Sequence, residues 1–299
     1  MGPSGGRGLR FGIGRIPLGQ MGTRLEGSPS ETVVELAIAA DELGYDFVTA
    51  QDHSVAPRKW SDEGGGKTWY EPFVVLSYAA AVTKRVRLLT DVVIVPYRSP
   101  FQLAKISASL DQLSGGRLIL GLGVGYLEEE FKILKAPFAD RGAVMDDSIE
   151  VLKRCWTEEW VDVSTPYFEA KDVSISPQPV QQPHPPIWIG GNSWRALRRA
   201  VELADGWTPF KGDPDHVREA RRRAADYGLP EGKPFDISMP LGRGVHKEDG
   251  SLDVDSILRK SEDYADAGVT SLRVGFRAAT PAEYVSKMEV FARDVIARF

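Results

Sequence analysis

The chain has 299 residues, 42% hydrophobic and 26% charged, and its 37 Lys and Arg against 42 Asp and Glu leave a formal net charge of −5. Charges of both signs are interspersed, which excludes the basic footprint of a nucleic-acid binder, and a lone cysteine, Cys155, excludes a disulfide framework and every cysteine-based zinc motif. The histidines His53, His184, His216 and His246 are too dispersed for a paired metal motif, and no apolar stretch is long enough to span a bilayer. The longest, Val86 to Pro96, is broken by Arg87 and Asp91. Met1 to Gly8 is Gly-rich without an apolar core, so it does not read as a secretory signal. A cytoplasmic enzyme or binding protein is expected.

From the N-terminus, Leu9–Gly14 reads as a strand. A helix then starts at Ser28-Pro29-Ser30-Glu31, where hydroxyl, proline and glutamate spell a capping box. Its stripe of Val33, Leu36, Ala37, Ala40 and Leu43 stops at Gly44, and Asp46–Gln51 follows as a strand. The loop Val55 to Glu71 carries three consecutive glycines among Trp60, Trp69 and Tyr70, and reads either as a lid or as a flexible surface loop. Pro72–Thr83 is helical, Val86–Val95 a strand, and Ser99-Pro100-Phe101-Gln102 spells a second capping box for Pro100–Leu113. Strand Arg117–Gly123 and helix Arg141–Thr157 come next. The proline-rich stretch from Glu158 to Pro186 suits extended or hairpin structure wrapped on the main fold. Strands at Pro186–Gly190, Gly206–Pro209, Phe235–Leu241 and Ser271–Phe276 alternate with helices at Ser193–Ala204, Pro214–Tyr227, Val254–Ala267 and Pro281–Arg298. Asp213 caps the second of these helices and a third box, Thr280-Pro281-Ala282-Glu283, the last. Eight strand–helix units in one chain of this length predict a single (β/α)8 TIM barrel over residues 1–299, with insertions near 55–71 and 158–186.

Active sites of such barrels lie at the C-terminal ends of the strands. Those ends here are Gln51-Asp52-His53, Thr90-Asp91, Gly123-Val124-Gly125-Tyr126, Gly190-Gly191-Asn192-Ser193, Gly242-Arg243-Gly244 and Gly275-Phe276-Arg277. Six polar, glycine-rich ends suggest a ligand pressed against backbone. Gly121, Gly123 and Gly125 alternate, so one strand face lacks side chains; either something flat approaches it or the barrel packs tightly there. The spacing is not that of a dinucleotide fingerprint. Gly190 to Ser193 opens a helix whose N–H groups suit a cofactor phosphate, with Asn192 or Ser193 also able to cap. Asp52 and His53 form the best candidate catalytic pair, because histidine exchanges protons near neutral pH and a carboxylate can tune it. Glu128, Glu129 and Glu130 read as a solvated helix start. Trp60, Trp69, Tyr70 and Tyr97 hint at an apolar substrate region.

The run Gln102-Leu103-Ala104-Lys105 … Leu110-Asp111-Gln112-Leu113-Ser114-Gly115-Gly116-Arg117 … Gly121-Leu122-Gly123-Val124-Gly125-Tyr126 resembles the signature of luciferase-like monooxygenases. So do Asp52-His53, Thr90-Asp91-Val92 … Pro96-Tyr97-Arg98-Ser99-Pro100, Pro185-Pro186-Ile187-Trp188-Ile189-Gly190-Gly191-Asn192 and Asp205-Gly206-Trp207. Gly125-Tyr126-Leu127-Glu128-Glu129-Glu130-Phe131 … Pro137-Phe138 … Arg141-Gly142 is similar to the branch that uses the deazaflavin coenzyme F420. The resemblance implies a barrel with insertions, a homodimer, and a ring held near Asp52, His53 and Thr90-Asp91-Val92. It implies a phosphate side near Gly123, Gly125, Gly190, Gly191, Asn192 and Ser193, with Tyr126 also against the cofactor. It also implies a cis peptide at Asp91–Val92, where Asp91 replaces the smaller residue common in relatives. The expected activity is F420-dependent hydride transfer to or from a small organic substrate, with His53 as proton carrier and Asp52 orienting it. The alternatives are an FMN-dependent monooxygenase and a non-catalytic flavin-binding protein. Neither a membrane nor a metal is expected as partner.

Overall fold

A computed structural model describes residues 8–20, 23–242 and 245–299. The expected N-terminal stretch lies mostly outside the described residues, as do Arg243 and Gly244. The chain starts with strand β1 (Arg10–Ile13), helix α1 (Pro29–Glu42), strand β2 (Phe47–Ala50), a single turn α2 (Arg58–Trp60) and helix α3 (Pro72–Val82). Strands β3 (Arg87–Thr90) and β4 (Val93–Ile94) are two halves of one barrel strand, followed by α4 (Pro100–Ser114), β5 (Leu118–Gly123), α5 (Glu128–Leu134) and α6 (Arg141–Thr157). A hairpin, β6 (Val161–Ser164) with β7 (Glu169–Val173), occupies the expected second insertion. The remainder alternates: β8 (Ile187–Gly190), α7 (Trp194–Leu203), β9 (Gly206–Thr208), α8 (Pro214–Asp226), β10 (Asp236–Pro240), α9 (Val254–Ala267), β11 (Ser271–Val274) and α10 (Pro281–Asp294).

Every pairing between barrel strands is parallel, and β3 bonds to β5, so the sheet closes on itself as an eight-stranded TIM barrel. Alternation along each strand sorts side chains inward and outward. Phe47, Leu89, Ile119 and Trp188 form a separate buried cluster, and Phe47 meets Trp188 edge-on at 5.9 Å. Gly12 in β1 makes room for the Phe47 ring, since a Cβ there would come within 2.2 Å of it. The outward set, including Val48, Leu88, Leu118 and Leu120, packs under the helices. At the N-terminal end of the barrel, Arg10 pairs with Asp46 and Asp236, and Arg87 pairs with Asp46.

Helix starts follow the expected chemistry except at Ser99 and in part at Thr280, where Glu283 accepts from Ala279 N–H instead of closing the box on Thr280. Ser28 and Glu31 form the full capping box, and Thr280 and Asp213 each accept from the third helical N–H. Ser99 makes no side-chain cap bond; α4 instead opens on Pro100, and Leu103 N–H reaches the Ser99 carbonyl. A proline preset to helical φ makes that start workable without the hydroxyl.

The run from Asp111 to Arg117 is structural. Buried Asp111 accepts from the N–H groups of Val180 and Gln181 and from Gln181 Nε2, pinning the proline-rich insertion to α4. Buried Arg117 donates to the Ser114, Val86, Ala80 and Thr83 carbonyls and to Thr83 Oγ1.

Candidate active site

At the C-terminal end of β2, the chain turns out through Gln51, Asp52 and His53. His53 Nδ1 lies 2.9 Å from Glu130 Oε2, and the Glu130 carboxylate is wholly buried. Its other oxygen accepts from the backbone N–H of Ser54 at 2.6 Å and of Val55 at 3.1 Å. Burial pushes the Glu130 carboxyl up, but the bonds from His53 and Val55 outweigh it and hold the group below its ordinary range. A carboxylate fixed by backbone donors selects the tautomer with a proton on Nδ1, which leaves Nε2 as the working nitrogen. No described residue hydrogen-bonds to Nε2.

The expected orienting role of Asp52 is filled by Glu130. Asp52 turns away into a two-pronged pair with Arg98, at 2.5 and 2.9 Å, and accepts from Ile94 N–H at 2.9 Å. Successive residues leaving a strand point in opposite directions, so adjacency in sequence separated these two side chains. Asp52 thereby ties the β2 end to the segment after β4. Glu130, expected as part of a solvated run, is inside because only Glu128 and Glu129 face outward; Lys132 pairs with Glu128 at 3.0 Å.

Aromatic side chains wall in the imidazole. Trp60 lies 4.5 Å from the His53 ring, Trp69 4.6 Å, and Tyr126 edge-on at 6.0 Å. The glycines of the first insertion serve this wall. A Cβ on Gly65 would come within 2.4 Å of the Trp60 indole, and Gly64 adopts a φ of 105°. Tyr97 packs edge-on against Phe131 at 4.7 Å beneath the dyad. Its buried hydroxyl faces Glu130 without a hydrogen bond of ordinary geometry, and burial together with that carboxylate pushes its ionisation far up. Tyr70 is exposed and makes no ring contact with the described site residues.

The peptide between Asp91 and Val92, joining β3 to β4, is cis, as the family resemblance implies. The glycines around it pack against Val92. A Cβ on Gly123 would lie 2.5 Å from Val92 Cγ2, and one on Gly190 2.8 Å from Val92 Cγ1. At Gly121 it would fall 1.9 Å from the Thr90 carbonyl oxygen, while Thr90 Oγ1 bonds to both N–H and C=O of Gly121. Of the two readings of the bare strand face, tight packing therefore holds at these positions. Gly125, with φ 74°, sits against Phe131 and Ile94.

The Gly191 to Ser193 turn opens α7. Ser193 caps it by accepting from Ala196 N–H, and Asn192 bridges to the next loop through the Lys211 carbonyl and Phe210 N–H. Trp207 Nε1 donates to the Gly191 carbonyl at 2.8 Å. The Asp91 carboxylate reaches across the barrel to Arg273 at 3.3 Å. Sequence reasoning missed Glu130, Arg98 and Arg273 as members of this mouth. For Glu130 a signal was present: Leu127, Glu130, Phe131 and Leu134 share one helical face, and a lone acid in an apolar stripe marks a buried, partnered carboxylate.

An eight-stranded parallel barrel whose mouth carries an imidazole held at Nδ1 by a buried carboxylate, with no hydrogen bond from a described residue at Nε2, is an α/β-barrel enzyme by architecture. The chain belongs to the luciferase-like monooxygenase family, whose profile matches residues 13–260, and it is an oxidoreductase. An uncharacterised protein of Mycobacterium tuberculosis, Rv0940c, is 32% identical over 286 residues, covering 89% of this chain and 94% of that protein. The F420-dependent glucose-6-phosphate dehydrogenase of Microbacterium testaceum is 29% identical over 266 residues, covering 86% of this chain and 75% of the relative. Among solved structures, monooxygenase RslO1 from Streptomyces bottropensis shares the fold with a TM-score of 0.81 at 24% identity, over 97% of this chain and 99% of that one. Of these relatives, the dehydrogenase is F420-dependent by name. Among the described residues no helix is long and apolar enough to cross a membrane.

Proposed function

We propose that this chain is an F420-dependent oxidoreductase that moves a hydride between the deazaflavin and a small organic substrate. The observation that carries the reading is the open Nε2 of His53, with Nδ1 held by buried Glu130. Hydride transfer at a carbon bearing an ionisable X–H group requires a proton to move as well, and this dyad is built to take or give one at Nε2. A pocket that only stored a flavin would have no use for it. The 29% identity with an F420-dependent dehydrogenase along 86% of the chain supports the choice of cofactor.

The residues present fit a flat, polar-edged ring. Val92 is half-buried at the mouth and braced from behind at Gly123 and Gly190. Gln51 Oε1 and Arg15 Nε are buried and unpartnered, an acceptor and a donor able to meet such an edge. Thr90, Asp91 and Val92 would hold the ring side, with Gly123 and Gly190 acting through Val92, and Gly125, Tyr126, Gly191, Asn192 and Ser193 would lie on the phosphate side. When bound, the deazaflavin supplies or accepts the hydride. Glu130 orients the imidazole, and His53 Nε2 holds the proton that the substrate gains or loses. Trp60 and Trp69 exclude water from Nε2 and offer an apolar wall to the substrate, while Asp52 and Arg98 hold the two strand ends that frame the site.

We read the protein as a cytoplasmic homodimer. Its single cysteine, Cys155, is buried and unpaired, in keeping with a reducing compartment. His53→Ala is expected to lower turnover by about 10²–10⁴-fold, the usual worth of a general acid or base, with cofactor affinity retained. Turnover at the wild-type level would refute the role.

A further inference from the structure

A second cluster of charge stands toward the C-terminal ends of β1, β3, β9 and β11. Arg273 on β11 is buried; its guanidinium donates to Thr208 Oγ1 and to the Pro209 carbonyl, and lies 3.3 Å from Asp91 Oδ1. Thr208 Oγ1 is 3.4 Å from the same carboxylate oxygen, so the hydroxyl links arginine and aspartate. Arg15 follows β1 by way of Gly14 and is half-buried, and the Asp91 charge acts on it too. Its Nε is buried without a partner, and its guanidinium makes no hydrogen bond or ion pair with any described residue.

The charges do not balance. Asp91 pairs with Arg273, and Arg15 has no carboxylate within ion-pair distance among the described residues. Tyr284, the other titratable group acting on Arg15, is a buried phenol whose ionisation is pushed up to about 12, so it contributes no negative charge at neutral pH. Burial pulls both arginines below their ordinary range, with Asp91 opposing it in each case, yet guanidinium stays protonated at any ordinary pH. A net positive charge is thus held partly out of water with a donor unspent, which is costly unless something negative arrives.

We propose that unpaired Arg15, beside the Arg273–Asp91 ion pair, forms with Arg273 a cationic subsite at the barrel mouth that binds one anionic oxygen group, a carboxylate or a phosphate, of the bound ligand. The planar guanidinium fork suits that group, and Arg15 has its donors free to form it. Asp91 has a second part in this. It neutralises Arg273, so the position that would obstruct an electron-rich ring as a lone acid becomes one arm of a cation pair. The anion belongs either to the substrate or to the cofactor, and the chemistry of the subsite is the same for both.

The inference rests on the mouth being the catalytic centre, but its test needs neither cofactor nor turnover. Cofactor-free protein is titrated calorimetrically with inorganic phosphate and with acetate at constant ionic strength. Saturable binding is expected for the wild type, weaker by about tenfold or more in Arg15→Gln, and tighter in Asp91→Asn, where the compensating charge is gone. Circular dichroism checks that each variant is folded, and Asp91→Asn keeps the test alive should Arg15→Gln fail to fold. The titration is then repeated on protein saturated with F420. Anion binding that persists assigns the group to the substrate, and anion binding that F420 displaces assigns it to the cofactor. Equal binding by wild type and Arg15→Gln, or Asp91→Asn no tighter than wild type, overturns the proposal. Failure of F420 binding alongside intact anion binding would refute the deazaflavin reading and leave the subsite standing.

Discussion

Glu130 holds the Ser54 and Val55 amides with one oxygen and His53 with the other, so Glu130→Gln separates two contributions. The amide oxygen can still accept from the backbone, while the imidazole loses its charged partner. Turnover is expected to fall about 10²-fold with KM little changed, since the loss is to proton transfer rather than to substrate contact. The same substitution has a stability signature. The folded-state carboxyl lies below its usual range, so its contribution is complete at neutral pH and is lost as pH falls below the ordinary carboxylate range and through the folded value. Wild-type Tm should therefore drop more steeply than that of Glu130→Gln on acidification through that range. Parallel slopes would contradict the assignment. At this scale the sequence was half legible. His53 stood out as the one histidine at a strand end, but its partner sits 77 positions away, and adjacency favoured Asp52 instead. Within the run of three acids, the apolar face of Leu127, Phe131 and Leu134 is the cue that sets Glu130 apart.

At the scale of elements, β3 and β4 meet at Asp91–Val92, and β5 and β8 have given up side chains to receive Val92. Gly123→Ala would bring a Cβ to 2.5 Å from Val92 Cγ2. Overpacking of this kind costs about 1–3 kcal/mol, measurable by urea denaturation. Adding Val92→Ala removes the obstructing methyls and should recover much of the loss in the double variant. Additive losses would show that the glycine serves something other than Val92. Helix and strand positions were readable because proline, caps and glycine stops punctuate them: all eight barrel strands and their main helices stand within a few residues of the sequence expectation. The short helix α5 and the tight turns at residues 58–65 were not, because neither carries a periodic apolar face long enough to register. Glycine alternation in β5 was visible, but its cause, a side chain from the neighbouring strand, is a contact between elements that no single segment encodes.

Across the whole molecule, helix α3 departs from the pattern of a barrel's outer ring. Its sequence PFVVLSYAAAV has no charged residue, and Val74, Tyr78 and Val82 stand exposed at helical spacing beside exposed Ile106 and Leu113 of α4. A helix apolar all round is normally covered on both sides. For the homodimer proposed above, this face is the expected seam: light scattering should give twice the chain mass, and Val74→Glu with Tyr78→Glu should give a folded monomer. A monomeric wild type would remove the assignment. Closure of the barrel draws His53 after β2, Asp91 after β3, Glu130 on α5 and Arg273 on β11 to one mouth. The central claim is the identity of the cofactor. Side-by-side equilibrium titration of the purified chain with F420 and with FMN, followed by fluorescence, tests it most directly. The account predicts saturable F420 binding at least about tenfold tighter than FMN, a difference of roughly 1.4 kcal/mol. Tighter binding of FMN would contradict it.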